Sequence, residues 1–159
     1  MALNESADRA AALAEIDLEN PSAKAIVSLM TAAQQSDAGD TSGANETLQS
    51  VANTSDLPLI YRQIATFKAL ALSSNDLPVD ERRAGYEALS QPGNPLRLLA
   101  EEQMALLDIE TGDVAAALVR FQSIIDDSET TSDLQQRALQ VMVALGAEPD
   151  LTQLTEHGN

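Results

Sequence analysis

The chain has 159 residues, 44% apolar but only 3% aromatic, with no cysteine or tryptophan and 25 acidic against 9 basic side chains, a net charge of −16. Its length suffices to bury roughly 70% of the unfolded surface in one domain, whose core must be built from Ala, Leu, Ile and Val. The charge serves solvation and repels phosphate and anionic lipid, and the missing cysteine removes a disulfide frame, a thiol nucleophile and any cysteine metal site.

The 7 glycines and 6 prolines stand almost wholly at breaks, which speaks for an all-α fold and against a β fold with its many tight turns. Residues 4 to 17 carry Ala11, Ala12, Leu13 and Ile16 on one helical face. Pro21 suits a first helical position, and Ile26, Val27, Met30 and Ala33 form an apolar stripe up to the break at Asp37-Ala38-Gly39. A helix from about Thr41 to Ala52 follows, capped by Asp40, with Ala44, Leu48 and Val51 facing inward.

Asp56-Leu57-Pro58 reads as a cap followed by a proline, opening a well-buried helix with Ile60, Tyr61, Ile64, Phe67 and Ala71. Leu77-Pro78 then delays the partner helix to about Val79 to Leu89. Gln91-Pro92-Gly93-Asn94-Pro95 is the strongest breaker, after which Leu96 to Ile109 is apolar nearly all round and predicts a central helix. From Asp113, Val114, Ala117, Leu118, Phe121, Ile124 and Ile125 form an amphipathic stripe. Ser132 and Gln135 have the form of a capping box for a last helix ending at Gly146, with Leu134, Ala138, Val141, Met142 and Leu145 inward and Gln136, Arg137 and Gln140 outward.

Gly39-Asp40, Asn75-Asp76 and Gly112-Asp113 each separate two of these helices, at spacings of 36 and 37 residues. Glycine and asparagine end helices in the left-handed conformation, and aspartate caps the next helix, so each pair reads as a hairpin tip. The period is that of a helix-hairpin repeat.

The segment Thr111-Gly112-Asp113 to Phe121, with small Ala105 and Ala117 and aromatic Phe121, resembles the tetratricopeptide repeat; Ala32, Gly39-Asp40, Ala44 and Leu48 repeat it. Asp108, Ile124 and Glu129 depart from the consensus, and Lys68 takes a small-residue position in the middle hairpin. The resemblance implies a right-handed tetratricopeptide-like stack of three hairpins plus a C-terminal capping helix. Its bounds are an N-terminal helix or linker remnant over 1–20, the helical domain over 21–148 and a flexible polar tail over 149–159.

Over almost the whole chain the sequence is similar to the soluble part of α-proteobacterial YfgM-like proteins, through Asp56-Leu57-Pro58…Tyr61-Arg62, Leu77-Pro78…Glu81-Arg82-Arg83, Leu98-Leu99-Ala100-Glu101-Glu102-Gln103…Leu106-Leu107-Asp108 and Gln136-Arg137-Ala138. That family implies a membrane anchor ahead of the domain, a place at the periplasmic face of the inner membrane, and a translocon component or a chaperone as protein partner. The chain holds no run of about 18 apolar residues, and its start lacks the basic and hydrophobic parts of a signal peptide. It reads either as a fragment of an anchored envelope protein or as a cytosolic adaptor or regulator with no membrane link.

Residues for chemistry are thin. His157 is the only histidine and stands in the tail, no Gly-rich phosphate loop or GxSxG elbow occurs, and the carboxylate pairs lack a dry pocket. A non-enzymatic interaction module without cofactor or metal is expected. Arg82-Arg83 reads as local charge balance with snorkelling stems. Tyr61 and Arg62 are candidates for a binding face, since both residue types are common at binding hot spots. Carrying over the concave face of tetratricopeptide stacks adds Leu99, Glu102, Leu106 and Ile109, with Glu110 beside them and Ile26, Leu29 and Ala33 in the first hairpin; the first or last helix could equally cover that face.

Overall fold

A computed structural model describes residues 5–16, 19–74 and 76–150. Among these the chain is all-helical, with α1 Ser6–Ala14, α2 Pro21–Asp37, α3 Thr41–Asn53, α4 Leu59–Leu72, α5 Val79–Leu89, α6 Arg97–Glu110, α7 Val114–Asp126 and α8 Ser132–Ala144. The chain divides into two compact units, Met1–Gly85 and Tyr86–Asn159.

In the first unit α1 packs on α2, α2 on α3, and α3 on α4. The core joins Ala25, Ala32, Leu48, Val51, Leu57 and Ala65, flanked by Leu29 and Tyr61. In the second, α6 packs on α7 and α7 on α8. Here Ala105, Ala117, Phe121, Ile124, Leu134, Ala138 and Met142 are buried together.

The two Gly-Asp turns have one geometry. Gly39 and Gly112 take φ of 82° and 83°, the left-handed region where a side chain is costly. The following N–H groups of Asp40 and Asp113 reach back to the carbonyls of Gln35 (2.9 Å) and Asp108 (2.8 Å), closing the preceding helices in the Schellman pattern. Each aspartate then caps the next helix, accepting from Gly43 N (3.0 Å) or Ala116 N (3.0 Å). Gly146 repeats the closure after α8, with Ala147 N on Met142 O at 3.0 Å.

Gly39 and Gly112 stand 73 residues apart, and the same offset relates most of the two units. It maps Ala32 to Ala105, Ala44 to Ala117, Leu48 to Phe121, Val51 to Ile124 and Ala65 to Ala138, and all ten are buried. It also maps one cross-hairpin bond onto another: Thr47 Oγ1 donates to Gln35 Oε1 (2.8 Å) where Arg120 Nε donates to Asp108 Oδ2 (2.8 Å). Small residues let the paired helices approach and a larger one fills the space beneath, so the spacing repeats packing as well as turns.

Some local expectations are corrected. Helix α4 starts at Leu59 behind Pro58 with no side-chain cap; Asp56 instead accepts from Ser55 Oγ at 3.3 Å, because Pro58 places the helix start beyond its reach. The cap of α8 is Thr131, whose Oγ1 accepts from Leu134 N at 3.4 Å, while Gln135 Nε2 donates to Ile125 O at 3.4 Å. The Ser132 capping box therefore does not form. Nor is α4 well buried: only Ala65 is enclosed, with Ile60, Tyr61, Ile64 and Phe67 half-buried and Leu59 and Ala71 exposed. Apolar residues circle this helix, and its neighbours, chiefly α3, leave part of that circle in contact with water.

The middle turn is longer than its neighbours, as Leu77-Pro78 predicts. Pro78 O accepts from the N–H groups of Glu81 and Arg82, both at 3.1 Å, and α5 begins at Val79. Asn75 lies outside the described residues, as do residues 1–4, Asp17, Leu18 and the tail from Leu151, which includes His157. Asp150 is tied to α7, exchanging hydrogen bonds with the Gln122 side chain at 2.9 and 3.0 Å.

Candidate functional site

Tyr61 and Arg62 open α4 in the first unit. Tyr61 packs against the core there, which is the ordinary place of a tyrosine with an apolar body. Arg62 is half-buried, and its Nε is enclosed without a hydrogen bond.

Leu99, Glu102, Leu106 and Ile109 lie on α6 in the second unit. Leu99 and Ile109 pack on that unit's core, while Leu106 is exposed. Glu102 is buried and pairs with Arg137 of α8, whose Nε and Nη2 donate to its two carboxylate oxygens at 2.8 and 2.9 Å. This fork is the strong geometry for arginine and carboxylate. The last helix thus covers the Glu102 side of α6, and Arg137, read in sequence as outward, holds it there. In the first unit the corresponding positions are Leu29 and Ile64, an apolar pair.

Two further arginines of the second unit bridge helices. Arg120 of α7 reaches Asp108 (2.8 Å) and Glu101 (2.9 Å) of α6. Arg97 of α6 meets Asp127 (2.9 Å) and Glu129 (2.6 Å) beyond α7. Both line one cavity of about 660 Å³, floored by Leu98 and Ile124 and bordered by Ala115, Ala116 and Val119. The charges there are spent on one another.

Titration follows the pairing. The hydrogen bond from Arg97 holds the Asp127 carboxyl below the usual carboxylate range, against the opposing effect of burial. The hydrogen bonds Arg97 donates to Asp127 and Glu129 raise it, and the Glu102 fork raises Arg137. Burial works to lower Arg120, and the hydrogen bonds and charges of Asp108 and Glu101 together raise it. Each shift favours the ionised pair. Arg82 departs from the snorkelling expectation: it is buried, with Nε donating to Leu77 O at 3.3 Å.

A different surface opens between α1 and α2. Arg9, Ala12, Leu13 and Ile16 face Met30, Ala33 and Gln34 around a groove of about 410 Å³, almost wholly apolar. Arg9 is held at one end, its Nε bonded to the Gln34 side chain and Nη2 donating to Ser6 Oγ at 2.8 Å. Ile16, Met30 and neighbouring Ile26 are 48%, 50% and 44% exposed. Sequence reading placed Ile26 and Ala33 on a binding face and left open that the first helix covers it, but did not set Ala12, Leu13 and Ile16 against Met30 and Gln34, since nothing in those residues reveals what they oppose.

Among the described residues no three His, Asp or Glu side chains converge as a metal-ligand set, and no helix is long and apolar enough to cross a membrane. No protein-family model, curated protein or solved structure matches the chain.

Proposed function

We propose that the chain is a non-enzymatic, tetratricopeptide-like interaction module of the cell envelope, carried at the periplasmic face of the inner membrane by an anchor ahead of this segment. Its partner is a protein of the secretion or folding machinery, a translocon component or a chaperone. The exposed apolar face of Ile16, Ile26 and Met30 carries the reading, because clustered exposed aliphatics beside a groove are what a protein contact buries. The envelope location rests on the resemblance to YfgM-like proteins.

Photo-crosslinking tests both parts. A benzophenone amino acid at Met30, compared with one at exposed Val119 on α7, is to give an adduct with an envelope protein from the Met30 position in the source cells. Adducts at Met30 no stronger than at Val119, or only with cytosolic proteins, would overturn the proposal.

A further inference from the structure

We infer that the α1–α2 groove receives a basic amphipathic helix of a partner protein, with the partner's leucines seated between the two helices and its cations over the carboxylates around them. The inference rests on the interaction-module reading and names the site and partner chemistry for it.

The 73-residue offset maps Arg9, Ala12, Leu13 and Ile16 of α1 onto Arg82, Gly85, Tyr86 and Leu89 of α5. On α5 Arg82, Tyr86 and Leu89 are buried, and the Leu70 methyls of α4 lie so near Gly85 that a Cβ there would meet them at 2.7 Å. Helix α1 has the same row, with Ile16 open and a small residue, Ala12, where α5 has Gly85. Ala12 carries the Cβ that Gly85 lacks, so a helix cannot lie on α1 as closely as Leu70 approaches Gly85; seated farther out, it would place its aliphatic side chains over Ile16.

Charge selects the helix. Glu5, Asp8 and Glu15 are exposed along the outer side of α1, Glu19 precedes α2 and Asp37 ends it, and none has an ion-pair partner among the described residues. The cations of this stretch are Arg9, bonded as above, and Lys24. A second copy of the chain would set one acidic rim against another, whereas lysines flanking a leucine stripe complement it. Helix-in-groove docking reads such a partner as apolar anchors at helical spacing.

The probe is a synthetic peptide of about 18 residues with leucine on one helical face and lysine on the other, titrated into the full chain carrying methyl-13C methionine. Met30 is the exposed reporter, while Met104 and Met142 are buried. A saturable shift of Met30 with Met104 and Met142 unmoved, weakened at least tenfold by Ile16→Glu, is expected. A peptide of the same composition in scrambled order, and a leucine and glutamate analogue, are to leave Met30 in place. The inference falls if Met30 does not move, if the scrambled peptide moves it equally, or if Met30 shifts with protein concentration alone, which would make a second copy the occupant. Envelope adducts at Met30 without peptide binding would overturn this inference and leave the module reading standing; peptide binding without adducts would do the reverse.

Discussion

Removing Arg137 should destabilise the second unit more than removing its partner Glu102, although the two make one ion pair. The asymmetry comes from water. The Glu102 side chain keeps 12% of its exposure and the Arg137 side chain 48%. Once the pair is broken, Arg137 rehydrates where it stands, while Glu102 remains a poorly hydrated carboxylate under α8. Stranding a fully buried charge costs about 3 to 5 kcal/mol; with its residual exposure, Glu102 in Arg137→Ile is expected to cost about 2 to 3 kcal/mol. Glu102→Leu loses a pair whose other half is half-exposed, worth about 1 kcal/mol or less. The first unit supplies the double variant, since Leu29 and Ile64 hold the corresponding positions: Glu102→Leu with Arg137→Ile should return to within about 1 kcal/mol of the parent. Urea unfolding followed by far-UV circular dichroism and by the Met104 and Met142 methyl signals would measure it, and the Arg137→Ile Tm should fall by roughly 8–24 °C for a unit of this size. A larger loss in Glu102→Leu than in Arg137→Ile, or a double variant as unstable as Arg137→Ile, would refute the reasoning.

Because Asp127 ionises more readily folded than unfolded, its pairing with Arg97 stabilises the protein above the unfolded carboxylate value of about 3.9 and is lost as pH falls through the lowered folded value. Tm measured from pH 7 down to about 2.5 should therefore fall less steeply in Asp127→Asn than in the parent, and equal slopes would count against the pair. Gly112→Ala meets no atom within 4 Å, so its cost is purely conformational, about 1–2 kcal/mol by urea unfolding, with Gly112→Asn losing less. Phe121, fully enclosed against the α6 and α8 alanines, should cost about 3–5 kcal/mol on truncation to alanine, read by the same denaturation.

The turns were legible because their chemistry is local. A glycine that reaches φ of 82° or 83° and the aspartate that caps the next helix are sequence neighbours, so residue type alone carries the geometry. The small-residue rows at Ala32, Ala44, Ala105 and Ala117 follow from the same turns, which fix which helix faces meet. The ion pairs were illegible for the opposite reason: Glu102 and Arg137 are 35 residues apart, and Arg97 and Asp127 are 30. Asp108 could have been found. It departs from the repeat consensus, but Asp108 and Arg120 flank the Gly112 turn at the offsets of Gln35 and Thr47 around Gly39. Helix α4 misled for a third reason: its apolar residues specify a helix that likes burial, and only the number of neighbours decides how much it obtains.

The net charge of −16 looks like a uniform property, and the structure shows that it is not. In the second unit Arg97, Arg120 and Arg137 are bonded to Glu101, Glu102, Asp108, Asp127 and Glu129, so five carboxylates share three internal cations at short range. Around α1 and α2, by contrast, Glu5, Asp8, Glu15, Glu19 and Asp37 keep their charge facing solvent beside exposed aliphatics. A basic partner drawn in by the whole field would therefore lose little by avoiding the paired carboxylates, which already have their counterions, and gain most where unpaired charge and uncovered apolar surface coincide. Sequence offers a lone count of acids over bases; the structure adds which carboxylates already hold an arginine and which stand beside uncovered apolar surface.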